Sequence, residues 1–346
     1  MLENPQYKQL LAELSVTESD LALKDMNAED IASAARLVTL DHLDVIDIDG
    51  EDAEKFLQGQ FSNDVSQLKS GFAQLNTYCN PKGRTLAVFW LLREEDRFTM
   101  LIPSALCKPV STRLKMYVLR SKVNLNINQR FALGITHPNQ LANQLDGLSM
   151  PENAILHACE SLSSLPPRSI VVMGESEVSD LLSNGVSRES IAGSPYWRLL
   201  DIQSGIGFIY EENYEEFIPQ HINIDLSGGI SFTKGCYPGQ EIIARLRYLG
   251  KLKQRAIYCK IESEQPVTRG QEVFAASKPN SKSGLIIDAV EYPEHCWHVL
   301  TNINSNYIDD GQLGLGNVDG PELERMTLPY VITLEKPKGR SQDNPT

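Results

Sequence analysis

Between Leu40 and Ile127 the apolar positions switch repeatedly between a period of two and a helical period, which predicts alternating strands and helices. Leu40 to Ile48 alternates as a strand does and Gly50 turns the chain. Glu51 to Leu68 then places Ala53, Phe56, Leu57, Phe61 and Val65 at helical intervals, with Gly59 as a weak point. Gln74 to Asn80 and Thr85 to Leu92 are strand-like and meet at Asn80-Pro81-Lys82-Gly83, a turn sequence, so a hairpin is predicted there. Phe98 to Ile102 adds a strand, Ser104 to Leu119 a helix, and Val123 to Ile127 a strand with one polar face.

The order β-α-β-β-β-α-β matches a ferredoxin-like half. A weaker second copy follows, with Phe131 to Ile135 and Ser169 to Met173 as strands and Pro138 to Leu145 and Glu175 to Leu182 as helices. From Gln254 onward β-type segments dominate, at Ala256 to Ile261, Glu272 to Ala275, Gly284 to Val290, Cys296 to Ile303 and Leu328 to Leu334; their spacing predicts a small antiparallel barrel. The expected class is α+β, with ferredoxin-like units in a body over 36–250 and a C-terminal β-barrel over 251–335. Residues 1–35 read as a peripheral helix and acidic connector, and 336–346 as a disordered tail.

A chain of 346 residues exceeds what one core supports, in keeping with more than one domain. No apolar run reaches the length of a membrane span, and the first residues carry Glu3 and Glu13 without an export pattern, so a cytoplasmic location is expected. The formal net charge of −13 opposes general attraction to nucleic acid, so no strong direct binding of RNA is expected. Two local basic stretches run against that balance: Arg113, Lys115, Arg120 and Lys122, then Arg245, Arg247, Lys251, Lys253 and Arg255. Such stretches are either solvated faces or sites for an anionic ligand tail or an acidic partner. The six cysteines lie far apart without a C-x-x-C pair, which argues against a zinc site or a disulfide framework. His295 and His298 point to opposite faces of a strand, so with Cys296 they make no metal site.

The candidate chemistry sits at Lys234-Gly235-Cys236-Tyr237-Pro238-Gly239-Gln240-Glu241. Pro238 suits the first position of a helix running through Ile242, Ile243 and Leu246 to Gly250. A helix N-terminus together with Lys234 would favour a thiolate at Cys236. Pro238-Gly239 equally suits the middle of a type II turn, and a lone cysteine equally suits a buried apolar position. Gly228 and Gly229 upstream allow a backbone to approach a ligand closely. Glu241 fits a dipole partner at a helix start as well as a reacting acid.

These residues, with Gly228 to Phe232, Phe217-Ile218-Pro219-Gln220, and Glu54-Lys55-Phe56-Leu57-Gln58-Gly59-Gln60 followed by Asn63-Asp64-Val65, carry a resemblance to the YgfZ group. That group comprises folate-binding, tRNA-modifying proteins related to the T protein of glycine cleavage and to mitochondrial iron-sulfur assembly factors. The resemblance covers about residues 36 to 335. It implies a GcvT-like body around a channel that receives tetrahydrofolate or a derivative. It further implies an accessory role in iron-sulfur cluster assembly or repair, and through it in tRNA modification and regulation of replication initiation, with iron-sulfur proteins such as tRNA-modifying enzymes as partners. The alternative it leaves open is a one-carbon transferase resembling aminomethyltransferase. Residue by residue, the group's reactive cysteine and lysine fall on Cys236 and Lys234, and its folate-associated tryptophan on Trp197. A second tryptophan position falls on Leu43, which offers a pterin no flat π surface. The expected folate contacts are thus Trp197, Leu43, Gly228 and Gly229.

Overall fold

The computed structural model describes residues 35–137, 154–159, 166–183, 190–250, 252–308 and 312–332, with residues 7, 8, 11, 12, 17, 21, 23, 26 and 31 before them. Most of the expected N-terminal helix, the helix expected at Pro138 to Leu145, Lys251 and the tail over 336–346 lie outside the described residues.

The first half follows the predicted order: β1 (Arg36–Thr39), β2 (Leu43–Asp49), α1 (Ala53–Gln58), β3 (Phe72–Cys79), β4 (Thr85–Glu94), β5 (Arg97–Pro103), α2 (Ser104–Val118) and β6 (Asn124–Asn128). The strand expected over Leu40 to Ile48 is β2, which begins at Leu43 because the chain turns at Asp41-His42; β1, before that turn, is an additional strand. Strands β3-β4-β5-β2-β6 are neighbours in that order and pair antiparallel throughout.

The second copy supplies β7 (Phe131–Thr136), β8 (His157–Cys159), β9 (Arg168–Met173), α3 (Glu175–Ser183), β10 (Ile191–Ala192) and α4 (Ser194–Ser204). Its strands run β10-β1-β7-β9-β8, and β8 pairs parallel with β3, so the two copies share one ten-stranded sheet. Helix α4 begins with Pro195 in its first turn and ends at Gly205, whose left-handed backbone suits a C-terminal cap. Eight of its eleven residues are buried, because α4 packs against β1 on one side and against the second sheet on the other.

That second sheet contains β11 (Gln254–Glu262), β12 (Glu272–Ala275), β13 (Lys282–Glu291), β14 (Cys296–Asn304), β15 (Leu313–Leu315) and β16 (Glu324–Arg325), in the order β15-β12-β13-β14-β11-β16. It curls on itself: the Leu323 amide donates to Leu313 and the Leu315 amide to Pro321, so β15 meets the chain just before β16. This closure leaves little unpaired edge. Residues 328–332, expected as a strand, form none. Asp288 on β13 ties the sheet to α4 through Arg198, and Arg269 binds the same carboxylate at 2.8 Å. Burial pushes that carboxyl up, but the two guanidiniums outweigh it and hold it well below the usual carboxylate range. No helix among the described residues is long and apolar enough to cross a membrane.

Candidate functional site

The helix expected from Glu51 to Leu68 stops at Gln58. Its C-terminal cap is Gly59, the weak point in the pattern, and the chain just beyond is held from far away in the sequence. Lys234 is buried, and its ammonium donates to the carbonyls of Gln58 at 2.7 Å, Phe61 at 2.7 Å and Asn63 at 2.8 Å. An ammonium has three donors, and all three are taken. Its face also lies against the Tyr237 ring, 5.3 Å from the centroid. Burial pushes Lys234 down to about 8, with Asp64 opposing, so the charged form dominates at neutral pH. Lys234 is therefore a clamp on the 58–63 loop, and its charge is spent on carbonyls rather than directed at Cys236.

Inside the clamped loop the hydrogen bonds are dense. Asn63 donates through Nδ2 to Leu75 O at 3.0 Å and Gly228 O at 2.8 Å, while its amide N–H donates to Asn76 Oδ1. The Ser62 hydroxyl donates to Gly229 O at 2.7 Å and accepts from the Thr77 amide. Gln74 donates to Asp64 O and accepts from Asn76. The Ser66 hydroxyl and the Gln58 amide donate to Asp64 Oδ1 at 2.6 and 2.9 Å and hold its carboxyl below the usual value. These bonds join α1, β3 and the Gly228-Gly229 strand of chain into one fixed wall.

That wall borders a cleft of about 410 Å³, lined by the side of the clamped loop at Asn63, by Gln67 to Lys69, by Phe72 to Leu75 on β3, by Trp90 on β4, and by Ser227 and Gly228. Gly228 has a φ of +79°, and a Cβ there would meet nothing within 4 Å, so open space faces its backbone. Gly229 differs: a Cβ would lie 2.4 Å from Ile224 Cγ2, so packing rather than ligand access requires the glycine. Trp90 is buried, and its indole N–H has no hydrogen-bond partner in the protein. The Trp197 N–H is likewise without a partner, so the orphaned indole donor is not peculiar to the cleft.

Trp197 and Leu43, expected to touch folate, lie elsewhere. Trp197 is fully buried on α4, with its ring over Gly134 of β7, where an added Cβ would come within 2.4 Å of it. The Arg168 guanidinium sits 4.7 Å from the ring centroid and pairs with Asp201. Leu43 is buried at the start of β2 opposite Pro103. Neither lines the Gly228 cleft. Helix α4 is enclosed on both sides, so its tryptophan turns into packing. Trp90, which does line the cleft, was missed because it stands in an apolar run where every residue is buried.

Cys236 is exposed, two residues beyond the lysine clamp, and does not line the cleft. The helix expected to begin at Pro238 is α5 (Gln240–Tyr248). Pro238-Gly239 forms a type II turn instead: the Gln240 amide donates to Tyr237 O, and Gly239 has φ 82° and ψ −4°. The turn sits on the β3-β4 hairpin, where a Cβ at Gly239 would lie 2.7 Å from Asn80 O. The other thiols differ from Cys236. Cys79, Cys107, Cys159 and Cys259 are buried, and burial pushes each up to about 12. Among the described residues no group of three or more metal-ligating side chains is placed to hold a metal ion.

No family model matches the chain. A Haemophilus influenzae protein described only as uncharacterized is 32% identical over 303 residues, covering 86% of this chain and 99% of its own length. The protein named tRNA-modifying protein YgfZ from Escherichia coli O45:K1 is 30% identical over 307 residues, covering 86% of this chain and 93% of its own. Its namesake from Edwardsiella ictaluri is 28% identical over 306 residues. Among solved structures, the glycine cleavage system aminomethyltransferase T of Bartonella henselae superposes with a TM-score of 0.70 over 96% of this chain and 98% of its own, at 16% identity, which fixes the fold as GcvT-like. The cleft, the clamped loop and the Lys-Gly-Cys segment thus sit on a GcvT-like framework, and at this identity over nearly whole lengths the chain belongs to the YgfZ family.

Proposed function

We propose that the chain is a folate-binding accessory protein that supports iron-sulfur cluster assembly or repair and, through it, the modification of some tRNAs. The naming of its relatives as tRNA-modifying proteins supports the last part. The observation that carries the binding part is the cleft beside Gly228, with open space facing its backbone and a wall held rigid by Lys234.

The residues present fit a pterin. Trp90, Leu75 and Phe72 give an apolar and aromatic lining, and Gln67 and Ser227 add polar side chains. Lys69 is exposed at the same cleft and suits an anionic tail. A reduced folate, when bound, supplies a carrier for one-carbon units. The protein's part is to hold Asn63 and the Gly228 backbone in fixed positions, which lowers the ordering cost of binding.

Cys236 takes the second role. Its thiol is exposed and free of the folate cleft, so it is offered to a partner protein rather than to the bound ligand. One thiolate cannot hold a four-thiolate cluster, so contact with a cluster is shared with that partner. Cys236→Ala is expected to retain the fold and tetrahydrofolate affinity and to lose complementation of a deletion strain. Full complementation by this variant would remove Cys236 from the mechanism, and lost folate affinity would mean that the two roles are one.

A further inference from the structure

Two helices leave large apolar side chains in solvent. Met116, Tyr117 and Leu119 are exposed at the end of α2, and Ile242, Tyr248 and Leu249 on α5, with Leu119 86% and Leu249 74% exposed. Leu119 also holds a φ of 48°, a conformation costly for a bulky side chain, while presenting that side chain to water. The two groups belong to one ridge. Helix α2, which carries Arg113, packs against β4 of the β3-β4 hairpin. Asn80 at the hairpin tip donates to Glu215, the neighbour of Tyr214, at 3.0 Å. On the far side of the same tip, a Cβ on Gly83 would meet Ile242 at 3.0 Å. Cys236 precedes the turn that packs on this tip.

The charge of the ridge is the reverse of the whole chain. The protein carries a net −13, yet no carboxylate among the described residues lies within ion-pair distance of Arg113, Lys115, Arg120, Arg245 or Arg247. Arg247 lies over the Phe232 ring at 5.1 Å, and Phe232 meets Tyr248 edge-on. Exposed Glu215, Glu216 and Glu241 are acids in the same region.

We infer that this ridge docks a partner protein whose contacting face is acidic around an apolar centre. Exposed tyrosine, methionine and arginine around aliphatic side chains are the composition of a protein interface core and its hot spots. Unneutralised cations on an acidic protein select an acidic face by charge complementarity and repel none of it. Nucleic acid is the poorer occupant, because Leu119, Leu249 and Ile242 have nothing apolar to meet on a phosphate backbone and the net charge opposes approach. The inference rests on the reading of Cys236 above in one respect, that the docked partner is the one its thiol serves.

The test places the photo-crosslinker p-benzoylphenylalanine at Leu249 of the full chain, expressed in the host that makes it. A discrete protein adduct is expected, with an acid-rich cross-linked peptide. Arg245→Glu combined with Arg247→Glu should cut its yield about tenfold, and changing the acids of that peptide to lysine should restore it. Cys236→Ser should leave the adduct in place. An adduct that ignores the charge reversal, one that is RNA and removed by ribonuclease, or no adduct at all would each overturn the docking surface. If the adduct behaves as expected while Cys236→Ser still complements a deletion strain, docking stands and the role of Cys236 falls.

Discussion

Lys234→Met is expected to lower stability by about 2–4 kcal/mol and to abolish tetrahydrofolate binding. The substitution keeps the apolar stem but removes three donors, leaving the carbonyls of Gln58, Phe61 and Asn63 without them in a largely buried loop. A buried polar group left without its partner costs on the order of 1–3 kcal/mol, and partial access of water to this loop offsets part of three such losses. The loss of affinity follows from the loop. Asn63 bridges Leu75 and Gly228 across the cleft wall, and its position depends on the carbonyl that Lys234 holds. Lys234→Arg should not restore binding, because a planar guanidinium cannot converge three donors on carbonyls arranged for an ammonium. Thermal unfolding and calorimetric titration check both parts. A variant with wild-type melting and affinity would show that the clamp is dispensable.

Trp90→Phe is expected to separate stability from binding. The variant removes an indole N–H that has no partner in the protein, so the ligand-free fold should be as stable as before apart from a small loss of packing. A pterin lying against the indole loses part of that flat surface to phenylalanine, and affinity should fall about tenfold, the equivalent of about 1.4 kcal/mol. Unchanged affinity would place the ligand away from Trp90. Trp197→Phe serves as the control, since Trp197 packs on Gly134 and Arg168 away from the cleft.

Local patterning predicted the first half of the chain well because its elements are set by short-range periodicity. The hairpin at Asn80 to Gly83, α2 and the strands β11 to β14 fall where turn chemistry and alternation put them. The errors have long-range causes. Residues 59–68 have helical spacing, but two of their carbonyls, those of Phe61 and Asn63, are bound by a lysine more than 170 residues away, and no local rule reports that. The start of α5 was open between two readings because Pro-Gly fits both; contact with the hairpin tip at Asn80 decided for the turn.

The site was legible in part. Spacing and composition marked the Lys234 to Glu241 segment, and the family resemblance added folate. The assignment of roles within it needed three dimensions. Lys234 was expected beside a thiolate and is instead turned inward. Trp197 packs inside the protein, and the indole that lines the cleft is on β4. In a strand buried on both faces every residue reads alike, so alternation cannot separate a cleft-lining tryptophan from a core one.

The central claim is that a reduced folate occupies the cleft beside Gly228. Gly228→Asn probes it most directly, because asparagine tolerates the left-handed backbone at φ +79° while its side chain fills the open space in front of it. Calorimetric titration with tetrahydrofolate should then show binding for the parent chain and none for the folded variant. Equal heats and equal affinity for both chains would contradict the account.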